Sequence, residues 1–195
     1  MSPMRLIAAL ALSSTLLLAG CGGSDSSDDD KKPSSDGSAA TSTAQAATGE
    51  KQTTDAFSFS APDGWEHNDQ AAPTALAFAY DPQDNDGFAD NVNVIEDKTL
   101  AGAGAGDIER GAKASLESAD AEDITVGDPI TIDGVDAVTI TSTFNLNGNK
   151  YAVLQYAVPR DDTGYVITFS YSLDRPESEQ AEIAESVAAS WKWAS

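Results

Sequence analysis

Alternation of apolar and polar residues dominates the chain from residue 55 onward. In AFSFSA (56–61) Phe57 and Phe59 alternate with serines, and Pro62-Asp63-Gly64 interrupts the run ahead of Trp65, which predicts a strand and a turn. TALAFAY (74–80) is a second such run, and NVNVIE (91–96), with Val92 and Val94 set against Asn91 and Asn93, is a third. The period then changes. Across GDIERGAKASLESA, Ile108, Ala112, Leu116 and Ala119 recur at helical spacing, with Asp107 placed as an N-cap and Glu109 four residues ahead of Lys113 on the polar side. Alternation returns in ITVGDPITI, and Asp133-Gly134 marks a hairpin before VDAVTITSTFNL; Asn147-Gly148-Asn149 marks the next. KYAVLQYAV and YVITFSYSL follow, separated by turn residues from Pro159 to Gly164. A stripe of Ile183, Ala184, Val187, Ala188 and Trp191, opened by Asp174 and Pro176, predicts a closing helix.

The order is therefore three strands, a helix, about four hairpin-linked strands and a helix. Tight hairpins require antiparallel pairing, and two amphipathic helices can cover sheet faces, so the pattern predicts an α+β fold. A domain of about 140 residues buries close to two-thirds of its unfolded surface and needs neither disulfide nor metal to fold.

The first residues obey a different rule. MSPMRLIAALALSSTLLLAGC joins Arg5 to an apolar run, Leu6 to Leu18, that is shorter than the about 20 residues needed to span a bilayer core. It predicts a cleaved signal peptide, 1–20. Leu18-Ala19-Gly20-Cys21 looks like a bacterial lipobox: small residues open the backbone to the peptidase, and the thiol is the group that becomes a diacylglyceryl thioether. Two acyl chains meet the requirement for stable anchoring, so the expectation is a chain tethered at Cys21 to the extracytoplasmic face of the cell membrane. Beyond Cys21, residues 22–54 hold no aromatic residue and no Leu, Ile, Val or Met. Such a stretch cannot offset its chain entropy by burial, and 21–54 reads as a disordered linker ahead of a domain at 55–195.

Charge narrows the partners. With 11 Lys+Arg against 32 Asp+Glu, a net charge of -21, nucleic acid is excluded as a partner and cations or basic patches are favoured. One cysteine and one histidine rule out an intramolecular disulfide and a cysteine-based zinc cluster.

The acidic stretch DPQDNDGFADNVNV (81–94) is tested against the calcium-loop pattern and fails in every register. Anchored on Gly87, the first ligand position falls on Pro82 and the twelfth on Asn93. A looser cation site from Asp81, Asp84, Asp86 and Asp90 is the metal candidate, set against a hydrated turn. Phe88, in phase with Val92 and Val94, is expected to join the core. AGAGAGD (101–107) misses dinucleotide-loop spacing, and no cofactor is read from the chain. His67 has no G-x-S-x-G elbow to serve, so a wall-polymer hydrolase is the weaker alternative and no catalytic residue is assigned. Trp193 lies off the closing stripe and is the aromatic to check for exposure.

FSFSAPDGW, FADNVNV, the Asp133-Gly134-Val135 hairpin, YVITFSY and EIAESVAASWKW together resemble the actinobacterial LpqN-like lipoproteins. The resemblance implies a PsbP/Mog1-like domain, a six- or seven-stranded antiparallel sheet flanked by helices. It also implies a non-enzymatic accessory lipoprotein that contacts an envelope protein or lipid, with no family active site to carry over; the domain is expected to be a monomer.

Overall fold

Each hairpin forms where the sequence places backbone that can turn. At Asp133-Gly134 both residues have positive φ, 46° and 85°, the mirror-image turn that matches strand twist, and it joins β8 (Ile130–Ile132) to β9 (Val135–Leu146). β9 runs antiparallel to β10 (Asn149–Arg160), which turns at Asp161-Asp162 into β11 (Thr163–Ser172). β11 returns to pair with β6 (Asn91–Glu96), which pairs with β5 (Ala77–Tyr80), and β4 (Glu66–His67) closes that edge. On the far side, β7 (Glu122–Val126) and β8 lie end to end along β9, so the sheet is seven positions wide from β7/β8 to β4. A two-residue strand β1 (Ala40–Thr41) adds in parallel to β8. A second, three-stranded sheet holds β2 (Lys51–Thr53), β3 (Phe57–Ser60) and β12 (Lys192–Trp193). This computed structural model describes residues 40–41, 44–68, 70, 72–84, 88–146 and 148–194; the signal peptide, Cys21 and Asp86 lie outside the described residues.

Helix α1 (Ala105–Ser118) crosses one face of the main sheet and α2 (Glu177–Ser190) lies on the other. On the α2 side, Val92, Val94, Ile167, Phe169 and Tyr171 meet Ala184, Val187 and Trp191 in the main core. Trp191 is fully buried and stacked on both Phe57 and Phe59, at 4.6 and 5.0 Å between ring centroids. The α1 side is smaller: Ile108 and Leu116 pack on Val138, Ile140 and Ala157. This is the α+β class the periodicity predicts, and the seven-position antiparallel sheet flanked by helices is the form the resemblance implies.

Three expectations change in detail. Helix α1 begins earlier than expected, with Gly104 as its N-cap in extended conformation. Asp107 instead sits in the first turn, where the helix dipole favours an acid, and pairs with Arg110. The domain also begins before residue 55. Lys51–Thr53 pairs with β3, Gln52 is buried, the Ala47 N–H bonds the Ser186 carbonyl at 2.9 Å, and a Cβ on Gly49 would lie 2.3 Å from the Pro62 carbonyl oxygen. Composition could not show this, because main-chain pairing holds the segment and does not depend on apolar side chains. Phe88, finally, stacks on Tyr151 at 4.8 Å on the sheet face opposite Val92 and Val94. The loop before β6 breaks the alternation that would have carried it inward.

Candidate functional site

The loop of acids closes on itself, with the Asp81 N–H donating to the Asp90 carbonyl at 2.8 Å. Within it the Asp81 carboxylate accepts the Gln83 N–H at 2.9 Å, and the Asp84 carboxylate accepts the Asp90 N–H at 3.2 Å. These are the backbone-satisfying bonds for which turns recruit aspartate. Asp90 itself is fully buried at the start of β6. Its two oxygens are taken by the Ser172 N–H at 2.7 Å and by Nε of Arg175, which donates to Oδ2.

Arg175 thus supplies the counter-charge of the buried Asp90 carboxylate. Its guanidinium also faces Asp81 at 3.9 Å and Glu179 at 3.6 Å. Burial raises the pKa of the Asp90 carboxyl, and the Ser172 N–H and the Arg175 guanidinium oppose that rise. Burial works against the charge on Arg175, but the carboxylates of Asp90, Asp81 and Glu179 outweigh it and raise its pKa. The structure brings Asp81, Asp84 and Asp90 together around an arginine, and no group of three acids suited to a metal ion occurs among the described residues.

Around this cluster opens a depression of about 670 Å³, lined by Gln83, Asp84, Ser172, Asp174, Arg175 and Glu179 among others. Its volume falls in the range of ligand sites, and carboxylates make up five of the nine residues that line it. A smaller hollow of about 250 Å³ adjoins it across Ser172 and Asp174 and takes in Phe88, Lys150 and Leu173, the last half exposed. Five carboxylates line the larger cup, and three of them, Asp81, Asp90 and Glu179, lie within ion-pair reach of its one guanidinium, so acidic groups outnumber basic ones there.

Arg175 is the residue that pattern reading missed. One signal was present: a base beside Pro176 at the start of a helix opposes the helix dipole, so something else must hold it. Its carbonyl in turn accepts the Gln180 side-chain amide at 2.8 Å.

His67 is in β4, with Nδ1 3.0 Å from the Phe78 carbonyl oxygen, a bond that holds the sheet edge. Trp193 is partly buried, donates its indole N–H to the Ile132 carbonyl at 3.0 Å, and carries the Arg160 guanidinium 4.9 Å from its ring.

No protein-family model and no curated protein matches the chain. Solved structures do. LpqN, involved in cell envelope biogenesis of Mycobacterium tuberculosis, is similar at TM-score 0.53 and 15% identity over 71% of this chain and 83% of LpqN. The cyanobacterial PsbP (CyanoP) of Synechocystis sp. PCC 6803 is similar at TM-score 0.51 and 19% identity over 74% of this chain and 92% of that one. The fold is PsbP-like. A protein from Bacteroides thetaiotaomicron VPI-5482 shares it at TM-score 0.51 and 14% identity over 75% of this chain, which spans about half that protein's length, 49%. At these identities the likeness establishes the PsbP-like architecture and leaves function to the site. In this PsbP-like domain the acidic cup lies where β5, β6 and β11 meet the start of α2.

Proposed function

We propose that the chain is a lipid-tethered, non-enzymatic binding module of the cell envelope, of the LpqN-like kind. It is anchored at Cys21 and uses the cup around Arg175 to hold a cationic segment of a partner protein. The observation that carries the reading is the unbalanced charge of the cup, whose lining holds Asp81, Asp84, Asp90, Asp174 and Glu179 and the single cation of Arg175. A basic side chain entering there meets carboxylates already held by backbone bonds, so little is spent on ordering them. Among the described residues no helix is long and apolar enough to cross a membrane; the anchor is read from the lipobox, Leu18-Ala19-Gly20-Cys21, in the sequence.

Placement supports the same reading. The chain enters the sheet at β1, beside Ile130, which pairs with Ala137. Ser172 at the cup pairs with Tyr151, and Tyr151 with Phe144. Seven residues along β9 and four strand spacings separate the two points, about 23 Å along the strands and about 19 Å across. The cup therefore lies about 30 Å from the point where the chain joins the sheet.

The test is photocrosslinking in cells from position 83, in the native chain and in Asp174→Lys/Glu179→Lys. Charge reversal is expected to abolish the crosslinked species while leaving the melting temperature within a few degrees. Unchanged crosslinks would overturn the cup as the docking site. For the anchor, Cys21→Ala is expected to move the protein from the membrane to the soluble fraction, and unchanged fractionation would overturn the lipobox assignment.

A further inference from the structure

The Asp90–Arg175 pair ties together three separate parts of the chain. Asp90 stands just before β6 and closes the acidic loop, its carbonyl accepting the Asp81 N–H at 2.8 Å and its own N–H donating to the Asp84 carboxylate at 3.2 Å. Its side chain accepts from the Ser172 N–H at the end of β11 and from the Arg175 guanidinium just ahead of α2. Loss of the carboxylate's hold on Arg175 therefore uncouples the loop from the start of the helix.

The charges around this pair do not balance. One guanidinium serves three carboxylates, bonded to Asp90 and lying 3.9 Å from Asp81 and 3.6 Å from Glu179. Water reaches the three unequally: the side chain of Glu179 is 55% exposed, that of Asp81 21% and that of Asp90 0%. From the loop, Asp84 sets a further negative charge near Asp90, and Asp174, ahead of α2, lines the same cup. From β11, Tyr171 stays neutral, its hydroxyl donating to the Gln180 carbonyl at 3.0 Å and burial pushing its pKa up. Asp90 thus combines the least hydration with a counter-charge it has to share, so a proton relieves more there than on any other acid of the cup. Burial is the leading cause that lifts its pKa above the ordinary carboxylate value, and the bonds from Ser172 and Arg175 oppose that rise without cancelling it.

We propose that the pair is an acid-sensitive latch: a proton taken up by Asp90 removes the charge that holds Arg175, and the guanidinium passes to Asp81 and Glu179. Both acceptors already face it, so the transfer takes a side-chain rotation and no strand has to move. The effect on the cup rests on the binding reading proposed above. With Arg175 turned to Asp81 and Glu179, the two more hydrated acids that an entering base would meet are neutralised from within, and the cup holds one negative charge fewer. Acid therefore releases a bound cationic segment. The coupling is reciprocal, because a base held in the cup lowers the proton affinity of Asp90 by the factor by which the proton lowers the affinity for the base.

The test uses the full chain carrying Cys21→Ala, isotope-labelled and titrated by NMR with no partner present. The Asp90 side-chain carboxyl resonance is expected to titrate with a midpoint above the ordinary value of about 3.9, and the Arg175 Nε–H and Ser172 N–H resonances to move with that same midpoint. Asp90→Asn is expected to hold the Arg175 Nε–H at its acid-limit position at every pH. If that variant does not fold, Glu179→Gln takes its place and is expected to lower the midpoint, since fewer carboxylates then share Arg175. A midpoint at or below about 3.9, an Arg175 resonance that does not follow it, or a variant that fails its expected shift would overturn the latch. Calorimetry with capped tetralysine reads the cup: from pH 7 to one pH unit below the midpoint, native binding is expected to weaken about threefold or more, and binding to Asp90→Asn to stay level. Level binding in the native chain would overturn the coupling of latch to cup. Tetralysine that binds at no pH would count against the binding reading instead, and the titration without partner still decides the latch.

Discussion

Removing the Asp90 carboxylate tests whether the acidic loop is a folding element as well as a recognition element. Asp90→Ala takes the acceptor from the partly buried Ser172 N–H, and a donor left unsatisfied costs about 1–3 kcal/mol. It also strips the nearest counter-charge from Arg175, and breaking a buried pair from one side costs about 3–5 kcal/mol in all. Arg175 keeps 24% side-chain exposure and retains Asp81 and Glu179, so the lower end, about 3 kcal/mol at pH 7, is expected. In a domain of this size that is a fall in Tm of roughly 6–12 °C.

Arg175→Met makes the complementary lesion and leaves a buried carboxylate without its counter-charge. Burial already raises the Asp90 pKa in the intact pair, and loss of the guanidinium raises it further. Between the unfolded value near 3.9 and that raised value the native variant binds the extra proton, so its stability increases as pH falls through the window. Asp90→Asn/Arg175→Met, which keeps an acceptor for Ser172 but removes both charges, is expected to be more stable than Arg175→Met alone. Urea unfolding at pH 7 and pH 5 reads all of these as changes in midpoint at constant slope. The reasoning is refuted if Asp90→Ala lies within about 1 kcal/mol of the native chain, or if acid widens the deficit of Arg175→Met.

Other outcomes follow from the same geometry. Gly49→Ala drives a Cβ into the Pro62 carbonyl and is expected to lower stability by more than about 1 kcal/mol, read by thermal melting; a silent substitution would return residues 44–54 to the linker. Lys192 and the Trp193 N–H hold the Asp133 carboxyl below its ordinary pKa, so its contribution is present above the unfolded value near 3.9 and is lost as pH falls toward the folded one. Asp133→Asn is therefore expected to cost about 1 kcal/mol at pH 7 and progressively less below pH 4, and a pH-independent difference would be wrong for this mechanism. Calcium at millimolar concentration is expected to leave the Tm of the native chain unchanged, because Arg175 already pairs with Asp90 and Asp81; a calorimetric signal lost in Asp84→Asn would restore the cation reading.

The order and type of elements were legible because they are local. Gly134 and the Pro62-Asp63-Gly64 break are turn chemistry, and the strands of YVITFSYSL and KYAVLQYAV alternate because one face of each meets a core. The lipobox reading is local too, four residues behind an apolar run. What escaped the sequence was decided by groups distant along the chain. Arg175 meets Asp90 across 85 positions, and no spacing rule relates an ion pair whose partners are joined only through the β6–β11 pairing. The edge strand Lys51–Thr53 is held by main-chain bonds that any residue but proline can make, so composition cannot report it. Phe88 left the core because the loop before β6 resets the phase that alternation assumes. Sequence by itself set the tether expectation, the α+β class and the acidity, which are sums over neighbours and composition. Only the tertiary structure turned a run of aspartates into a cup built round one arginine, because a carboxylate's role depends on which counter-charge the fold brings within reach and how much water it removes.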